Sequence, residues 1–128
     1  MTSAPALAVA PVVYIAGRYR GAHECVVFRN IQRAREAAEL VWQCGGIALC
    51  PHLNTAFMGG VVPDEAFLAG DLVLLERCDA VFAMHGWRES VGATGEVKHA
   101  GKRGIPVIQD ETELRSWIAE RLRAGGAR

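Results

Sequence analysis

The segment from Gly86 to Ala100, GWRESVGATGEVKHA, places one acidic residue among small ones where a helix is expected to begin. A carboxylate at Glu96 can act as a nucleophile toward an electron-poor carbon. It can also be a charge that suits the positive end of a helix dipole, worth on the order of a few tenths of a kcal/mol. No capping box explains it, because the residues three positions after Ser90 and Thr94 are not acids. From spacing alone, the helix-end charge is the more common explanation.

Polar side chains also follow three short apolar runs of the sequence. The runs VVYIAG, IALCP and DAVFAM are typical of buried strands. In a parallel α/β sheet, ligands bind outside the carboxyl ends of the strands, so the loops after these runs are the expected place of a site. Those loops carry Arg18, Tyr19 and Arg20 after the first run, His52 and Asn54 after the second, and His85, Trp87 and Ser90 after the third.

Helical patterns alternate with these strands. The segment NIQRAREAAELVWQCGG has apolar residues near helical spacing, with Asn30 to cap its start and Gly45 and Gly46 to end it. The following HLNTAFMGGVV is expected to be a loop. PDEAFLAGDLVLLERC predicts a helix with Pro63 in its first turn. The apolar face of that helix is expected to comprise Phe67, Leu68, Leu72 and Leu75.

The last elements are a helix from about Ala93 to Lys102, with Glu96 in its first turn, the strand IPVIQ and the helix ETELRSWIAERLRA. Alternating strands and helices imply a parallel sheet with right-handed crossovers. We therefore expect a single flavodoxin-like or Rossmann-like α/β domain over residues 1–128, with its core at about 12–124. Its sheet should have four or five parallel strands and helices on both faces.

The composition narrows the function classes. Lys plus Arg and Asp plus Glu number 14 each, so no bulk positive charge favours nucleic acid or an anionic membrane. No apolar run approaches the ~20 residues of a membrane helix, and the first ten residues lack the basic start of a secretory signal, so we expect a cytoplasmic protein. The four cysteines and the histidines show no metal-ligand spacing, and neither a metal nor a cofactor is expected.

Several segments, taken in order, resemble the nucleoside 2-deoxyribosyltransferase-like superfamily. They are YIAGRYRG, NIQRAREAAELVWQCGG, CPHLNT, GDLVLLERCDAVFAM and GWRESVGATGEVKHAGKRGIPVI, which together span about residues 12 to 109. The superfamily includes deoxyribosyltransferases, nucleoside 5'-monophosphate N-glycoside hydrolases and many small uncharacterised proteins. The CPHLNT loop looks most similar to the small uncharacterised members.

The resemblance implies catalytic roles for three residues. Glu96 matches the glutamate that attacks the anomeric carbon of the sugar, as the carboxylate of a retaining glycosidase does. Asp71 matches the acid that contacts the base and helps to protonate the departing nitrogen. Tyr14 matches the tyrosine whose hydroxyl holds the nucleophile in place. Without the resemblance, Tyr14 is expected to be a core residue and Asp71 a solvated helix acid.

The resemblance also suggests a phosphate site. Ser90 stands where deoxyribosyltransferases typically carry an aspartate and the monophosphate hydrolases a serine that contacts the 5'-phosphate. Arg20 matches an arginine of the hydrolases' first loop, and its planar guanidinium suits phosphate. The remaining substrate contacts are expected from Gly17, Arg18, Asn54, Trp87 and Gly92. Arg18 and Trp87 depart from the pattern of the hydrolases, so the substrate identity stays open.

The leading hypothesis is cleavage of the N-glycosidic bond of a nucleoside 5'-monophosphate. Deoxyribosyl transfer, cleavage of a larger glycoside such as NAD, and a non-catalytic nucleotide-binding or sensor module remain alternatives. The resemblance implies a homodimer whose subunits share the active site, since a 13.8 kDa chain has little room to enclose a nucleotide alone.

Overall fold

The computed structural model describes residues 10–126. The predictions made for residues 1–9, 127 and 128 lie outside this range. Four strands form one parallel sheet in the order β2-β1-β3-β4. They are β1 (Val12–Ala16), β2 (Ile47–Leu49), β3 (Ala80–Ala83) and β4 (Val107–Ile108). The predicted parallel α/β architecture is confirmed, with four strands.

Helices cover both faces of this sheet, as predicted. The helices are α1 (Glu24–Gln43), α2 (Pro51–Asn54), α3 (Asp64–Glu76), α4 (Val91–Lys102) and α5 (Glu111–Gly126), and a 3-10 turn spans Trp87–Glu89. Helices α1 and α5 pack on one face, and α3 and α4 pack on the other. None of the helices within residues 10–126 is long and apolar enough to cross a membrane.

Strand β1 is the centre of both packing layers because successive side chains of a strand point to opposite faces. Val13 and Ile15 enter the apolar layer beneath α1 and α5. Tyr14 and Ala16 point the other way, into the layer beneath α3 and α4. Strand β1 pairs on both edges, and α3 and α4 cover the Tyr14 side chain, which is completely buried. The alternation of side chains along β1 therefore places the Tyr14 phenol on the side of the sheet that α3 and α4 cover.

Helix α1 begins seven residues earlier than the sequence pattern predicted. Its N-cap is His23, so Asn30 is not a cap but a helical residue that is only 5% exposed. Close packing at the helix start provides a reason for this difference: a Cβ on Gly21 would lie 2.3 Å from Cγ1 of Val26. The helix includes the β-branched residues Val26 and Val27 in spite of their weak helix propensity.

The prediction for the segment after β2 was also wrong in part. HLNTAFMGGVV was expected to be a loop, but Pro51–Asn54 forms the short helix α2 with Pro51 in its first turn. Proline is tolerated at this position because its missing N–H would have no helical partner there. The turn places His52 in the interior, where it is 6% exposed.

Helix α4 begins at Val91, two residues before the predicted start. Its cap is Ser90, whose Oγ accepts a hydrogen bond from the amide of Ala93 at 3.1 Å. Glu96 therefore lies in the second turn of α4, and the prediction that placed it in the first turn was wrong. The helix-dipole effect falls off within the first turn, so it offers little account of this carboxylate.

Helix α3 begins at Asp64, immediately after Pro63, and its apolar residues are only partly covered. Of the four residues predicted to form its apolar face, Leu75 is buried, Phe67 and Leu72 are half-buried, and Leu68 is 47% exposed. The helix thus packs one edge on the sheet and leaves apolar surface open.

Candidate functional site

The site begins with a hydrogen bond between Tyr14 on β1 and Glu96 on α4. The Tyr14 hydroxyl donates to Oε2 of Glu96. The two residues are far apart in the sequence. Because side chains alternate along β1, however, the phenol of Tyr14 points to the face of the sheet that α4 covers. The structure therefore brings together two of the three residues that the resemblance marked as catalytic.

The surroundings of Glu96 oppose its ionisation. Burial raises its pKa and the charge of Asp71 raises it further, while the hydrogen bond from Tyr14 lowers it, and the result is a pKa of about 7. The helix dipole does not offset this effect, because Glu96 lies in the second turn of α4 and desolvation dominates. At neutral pH the carboxyl is divided between its charged and neutral forms.

The pKa values of the other two groups of this cluster are raised as well. Burial raises the pKa of Asp71 on α3. Burial, followed by the charge of Glu96, raises the pKa of Tyr14 far above its ordinary value, so the phenol remains a hydrogen-bond donor. Three neighbouring titratable groups with displaced pKa values are typical of functional sites.

The loop after β1, here called the first loop (residues 17–22), approaches the site with two glycines packed tightly. A Cβ on Gly17 would lie 2.9 Å from Sδ of Met84, and Gly21 has the contact with α1 described above. Both arginines of this loop contact acids. Arg18 lies 3.8 Å from Oε2 of Glu89, and Arg20 lies 2.7 Å from Oδ2 of Asp64. Each predicted phosphate-binding arginine is thus paired at the protein surface.

Two buried polar side chains hold the first loop from behind. His52 Nε2 lies 3.1 Å from the carbonyl oxygen of Arg18. Asn30 donates through Nδ2 to the carbonyl oxygens of Tyr19 at 3.0 Å and Arg20 at 3.4 Å. Asn30 was missed as a functional candidate, although it shares the apolar stripe of α1 with Ala34, Ala38 and Val41. A polar residue on such a stripe was the available signal.

Ser90, Trp87 and Gly92 lie on the segment between β3 and α4. Ser90 uses one lone pair to cap α4. Trp87 donates through Nε1 to Oε1 of Gln109 at 3.2 Å, and the Arg88 guanidinium lies 4.5 Å from the centre of its ring. A Cβ on Gly92 would meet only Ser90 Oγ, at 3.9 Å, within 4 Å. The backbone here leaves space beside Ser90.

Asn54 is set apart from the other predicted substrate contacts. It lies at the exposed end of α2 and lines a cavity of about 420 Å³ between α1, β2 and α3. No other predicted site residue lines this cavity. Within residues 10–126, moreover, no group of three His, Cys, Asp or Glu side chains is arranged to hold a metal ion.

Comparison with known proteins gives one family and a fold. The family profile of a domain of unknown function, DUF7768, matches residues 11–110. No curated protein matches the sequence. A solved 2-deoxyribosyltransferase of the psychrotolerant bacterium Bacillus psychrosaccharolyticus is similar in structure, with a TM-score of 0.52 and 16% identity. The similarity covers 75% of this chain and 69% of that chain. At this identity, the similarity shows a shared fold.

Proposed function

The chain belongs to the DUF7768 family, and we propose that it cleaves the N-glycosidic bond of a nucleoside 5'-monophosphate to free base and sugar 5-phosphate. The observation that carries this proposal is the buried Tyr14–Glu96 pair, with a Glu96 pKa of about 7 and Asp71 close enough to raise it. Two carboxyl groups and a phenol in one half-buried cluster can divide nucleophile and acid roles.

The proposed reaction uses each member of this cluster once. Ionised Glu96 forms a bond to C1' while the C1'–N bond breaks and its electron pair passes to the base. Asp71 in its protonated form, which burial favours by raising its pKa, donates a proton to the departing nitrogen. Water then attacks C1', gives its proton to Asp71 and releases Glu96. Tyr14 remains protonated throughout and donates its hydrogen bond to the ionised carboxylate.

The sugar phosphate is proposed to lie between the first loop and the start of α4. Arg20, Arg18 and Ser90 would contact the phosphate, since a guanidinium and a helix N-terminus both suit anions. Gly17 and Gly92 would allow the sugar to approach, and Trp87 would border the base. Asn54 would contact substrate only if the ligand extends toward α2. A bound phosphate must compete with Asp64 for Arg20, so substitutions at either residue test this contact.

Deoxyribosyl transfer is a second candidate, supported by the shared fold with a 2-deoxyribosyltransferase. In that reaction a second base, rather than water, accepts the sugar from Glu96. Adding free bases to a reaction that releases base from a nucleoside distinguishes the two. A new nucleoside in the products indicates transfer, and its absence indicates hydrolysis.

The decisive experiment is a screen of nucleosides, their 5'-monophosphates and NAD for released free base. Glu96→Gln serves as the matched variant because it keeps the shape of the side chain but removes the charge. Turnover should fall at least ~100-fold, while binding of substrate changes far less, because the charge matters most in the transition state. Ligand binding without release of base from any compound would contradict catalysis and favour a sensor module.

The phosphate part of the proposal has its own test. Arg20→Ala should weaken binding of a monophosphate by about 1.5 to 3 kcal/mol, the range for a hydrogen bond to a charged group. Binding of the matching nucleoside should hardly change. Asp64→Asn should strengthen monophosphate binding, because it removes the competing carboxylate from Arg20. Equal losses for both ligands in Arg20→Ala would show that this arginine is structural. Calorimetry measures both affinities.

We further propose that two copies of the chain associate through the region from α2 to α3 and share the site. Apolar side chains are exposed along it, at Leu53, Phe57, Val61, Leu68 and Val73. These five side chains lie on α2, on α3 or between them, and exposed apolar surface can mark an interaction surface. Light scattering should give a dimer for the wild type and a monomer for Val73→Asp, with Ser116→Asp on the exposed side of α5 as the control. A monomeric wild type would contradict this proposal.

A further inference from the structure

Asn30 and His52 share an unusual position behind the first loop. They are 5% and 6% exposed, and each comes from a different helix, α1 and α2. Between them they contact the carbonyl oxygens of three successive residues, Arg18, Tyr19 and Arg20. Burial of polar side chains is unfavourable unless hydrogen bonds compensate for it, so these contacts are the reason that both residues can occupy the interior.

The contact with the Arg18 carbonyl determines which ring nitrogen of His52 carries the proton. A carbonyl oxygen only accepts a hydrogen bond, so Nε2 must carry the proton. In the neutral ring this leaves Nδ1 as an acceptor, and Nδ1 is buried without a partner within residues 10–126. Burial lowers the pKa of His52, which keeps the ring in this neutral form. The hydrogen bond at Nε2 compensates in part for the hydrogen bond that Nδ1 lacks.

The hydrogen bonds to the carbonyls also orient the amides of the first loop. Peptide bonds within residues 10–126 are trans, and the N–H of a trans peptide points opposite to its C=O. When the carbonyls of Arg18, Tyr19 and Arg20 are directed at His52 and Asn30, the amides of Tyr19, Arg20 and Gly21 are directed away from them. Successive amides that point outward from the backbone can donate hydrogen bonds to an anion.

The geometry points to Asn30 and His52 as positioning residues that hold the first loop in the form that binds phosphate. They touch no substrate themselves, since both lie behind the loop. Tyr19 supports the same arrangement, because its ring packs edge-on against His52 with 5.5 Å between ring centres. This inference rests on the proposed function in one respect, namely that the phosphate group of the ligand lies at the first loop.

The test compares ribose 5-phosphate with ribose, which differ only in the phosphate. His52→Phe keeps the ring volume but removes the donor, and it should weaken ribose 5-phosphate binding about 10-fold while ribose binding is unchanged. His52→Gln places an amide nitrogen near the position of Nε2, and it should restore most of the affinity. His99→Phe makes the same substitution on α4, outside the loop, where His99 contacts Glu76, and it should change neither affinity.

Asn30→Asp is a second variant that keeps the test decisive if His52→Phe does not fold. Asn30→Asp is isosteric but replaces the NH2 donor with oxygen, and it should also weaken ribose 5-phosphate selectively. If thermal unfolding shows that His52→Phe does not fold, Asn30→Asp and His52→Gln decide by the same criteria. Equal weakening of both ligands, failure of His52→Gln to restore binding, or no preference of the wild type for ribose 5-phosphate would overturn the inference.

Failure of the proposed function gives a different result. If the wild type binds ribose 5-phosphate and the variants behave as described, but no base is released from any screened compound, the cleavage reaction is refuted and the positioning role stands. If base is released from nucleosides and the wild type shows no preference for ribose 5-phosphate over ribose, the positioning role is refuted and glycosidic cleavage stands.

Discussion

The two faces of the sheet use the same strand for different purposes. Beneath α1 and α5, Val13 and Ile15 of β1 meet Leu114 and Ile118 in an apolar layer. Beneath α3 and α4, Tyr14 of the same strand enters a layer that also reaches the carboxyls of Glu96 and Asp71. The first face contributes stability through burial of apolar area, and the second uses burial to displace pKa values. One β-strand can therefore join a stable core to a reactive cluster.

Removing apolar volume from each face should give the largest effect and should separate the two. Ile118→Ala and Leu75→Ala each empty a fully buried position, and each should lower the free energy of unfolding by about 2 to 5 kcal/mol. Leu75 packs in the same cluster as Tyr14, so Leu75→Ala should also admit water and lower the pKa of Glu96. Urea unfolding and a titration of Glu96 by NMR measure these quantities. An equal pKa change in Ile118→Ala would remove the distinction between the faces.

Ionisation of Glu96, on the face beneath α3 and α4, should reduce the stability of the protein at high pH, and Glu96→Gln tests this. The folded pKa of about 7 exceeds the ordinary 4.5, so the folded protein holds this proton in a range where the unfolded chain releases it. The stabilisation from Glu96 is fully present below pH 4.5 and is lost as pH rises to about 7. Glu96→Gln should therefore be more stable than the wild type by about 1 to 3 kcal/mol at pH 8.

The same comparison at low pH is its control. Near pH 4 Glu96 is protonated in the folded state and mostly protonated in the unfolded state, so the stability difference between wild type and Glu96→Gln should nearly vanish. Urea unfolding at several pH values measures this trend. A stability difference that does not change with pH would mean that the carboxyl is better solvated than its surroundings indicate.

Tyr14→Phe should give the smallest of these effects and should sharpen the role of the phenol. Its hydrogen bond lowers the pKa of Glu96, so its removal should move the rise of kcat with pH to higher pH. At pH 7 kcat should fall about 10-fold, because one hydrogen bond to a charged group is lost. Tyr19→Phe on the first loop is the matched control and should leave the pH profile in place. A profile that does not move in Tyr14→Phe would show that the phenol is only a core residue.

The sequence pattern was sufficient for the architecture and for part of the site. The runs at Val12–Ala16 and Ala80–Ala83 are continuous, apolar and partly β-branched, and a long segment with helical spacing lies between them. These local patterns predicted the alternation of strands and helices, and with it the parallel sheet. The carboxyl edge of the sheet followed from that topology. Resemblance, rather than periodicity, suggested the catalytic roles of Glu96, Asp71 and Tyr14, and these roles stay predictions.

The helix starts could not be read from the sequence with the same certainty. Asn30 has the side chain of a good cap, and the residues before it have weak helix propensity, yet α1 extends back to Glu24. Ser90 caps α4 without an acid three residues later, so no capping box marked the start. In both places the local preference is less than about 1 kcal/mol per residue, which is too small to fix where a helix begins.

The sequence by itself thus determined the order of elements, the edge of the sheet that carries the loops and the residue types available there. Only the tertiary structure decided that Glu96 contacts Tyr14, that burial raises its pKa to about 7, and that Asn30 and His52 direct the carbonyls of the first loop. The physical reason is that hydrogen-bond pairing and desolvation depend on which groups meet in space. Hydrophobic periodicity, in contrast, is a local property that each segment carries along the chain.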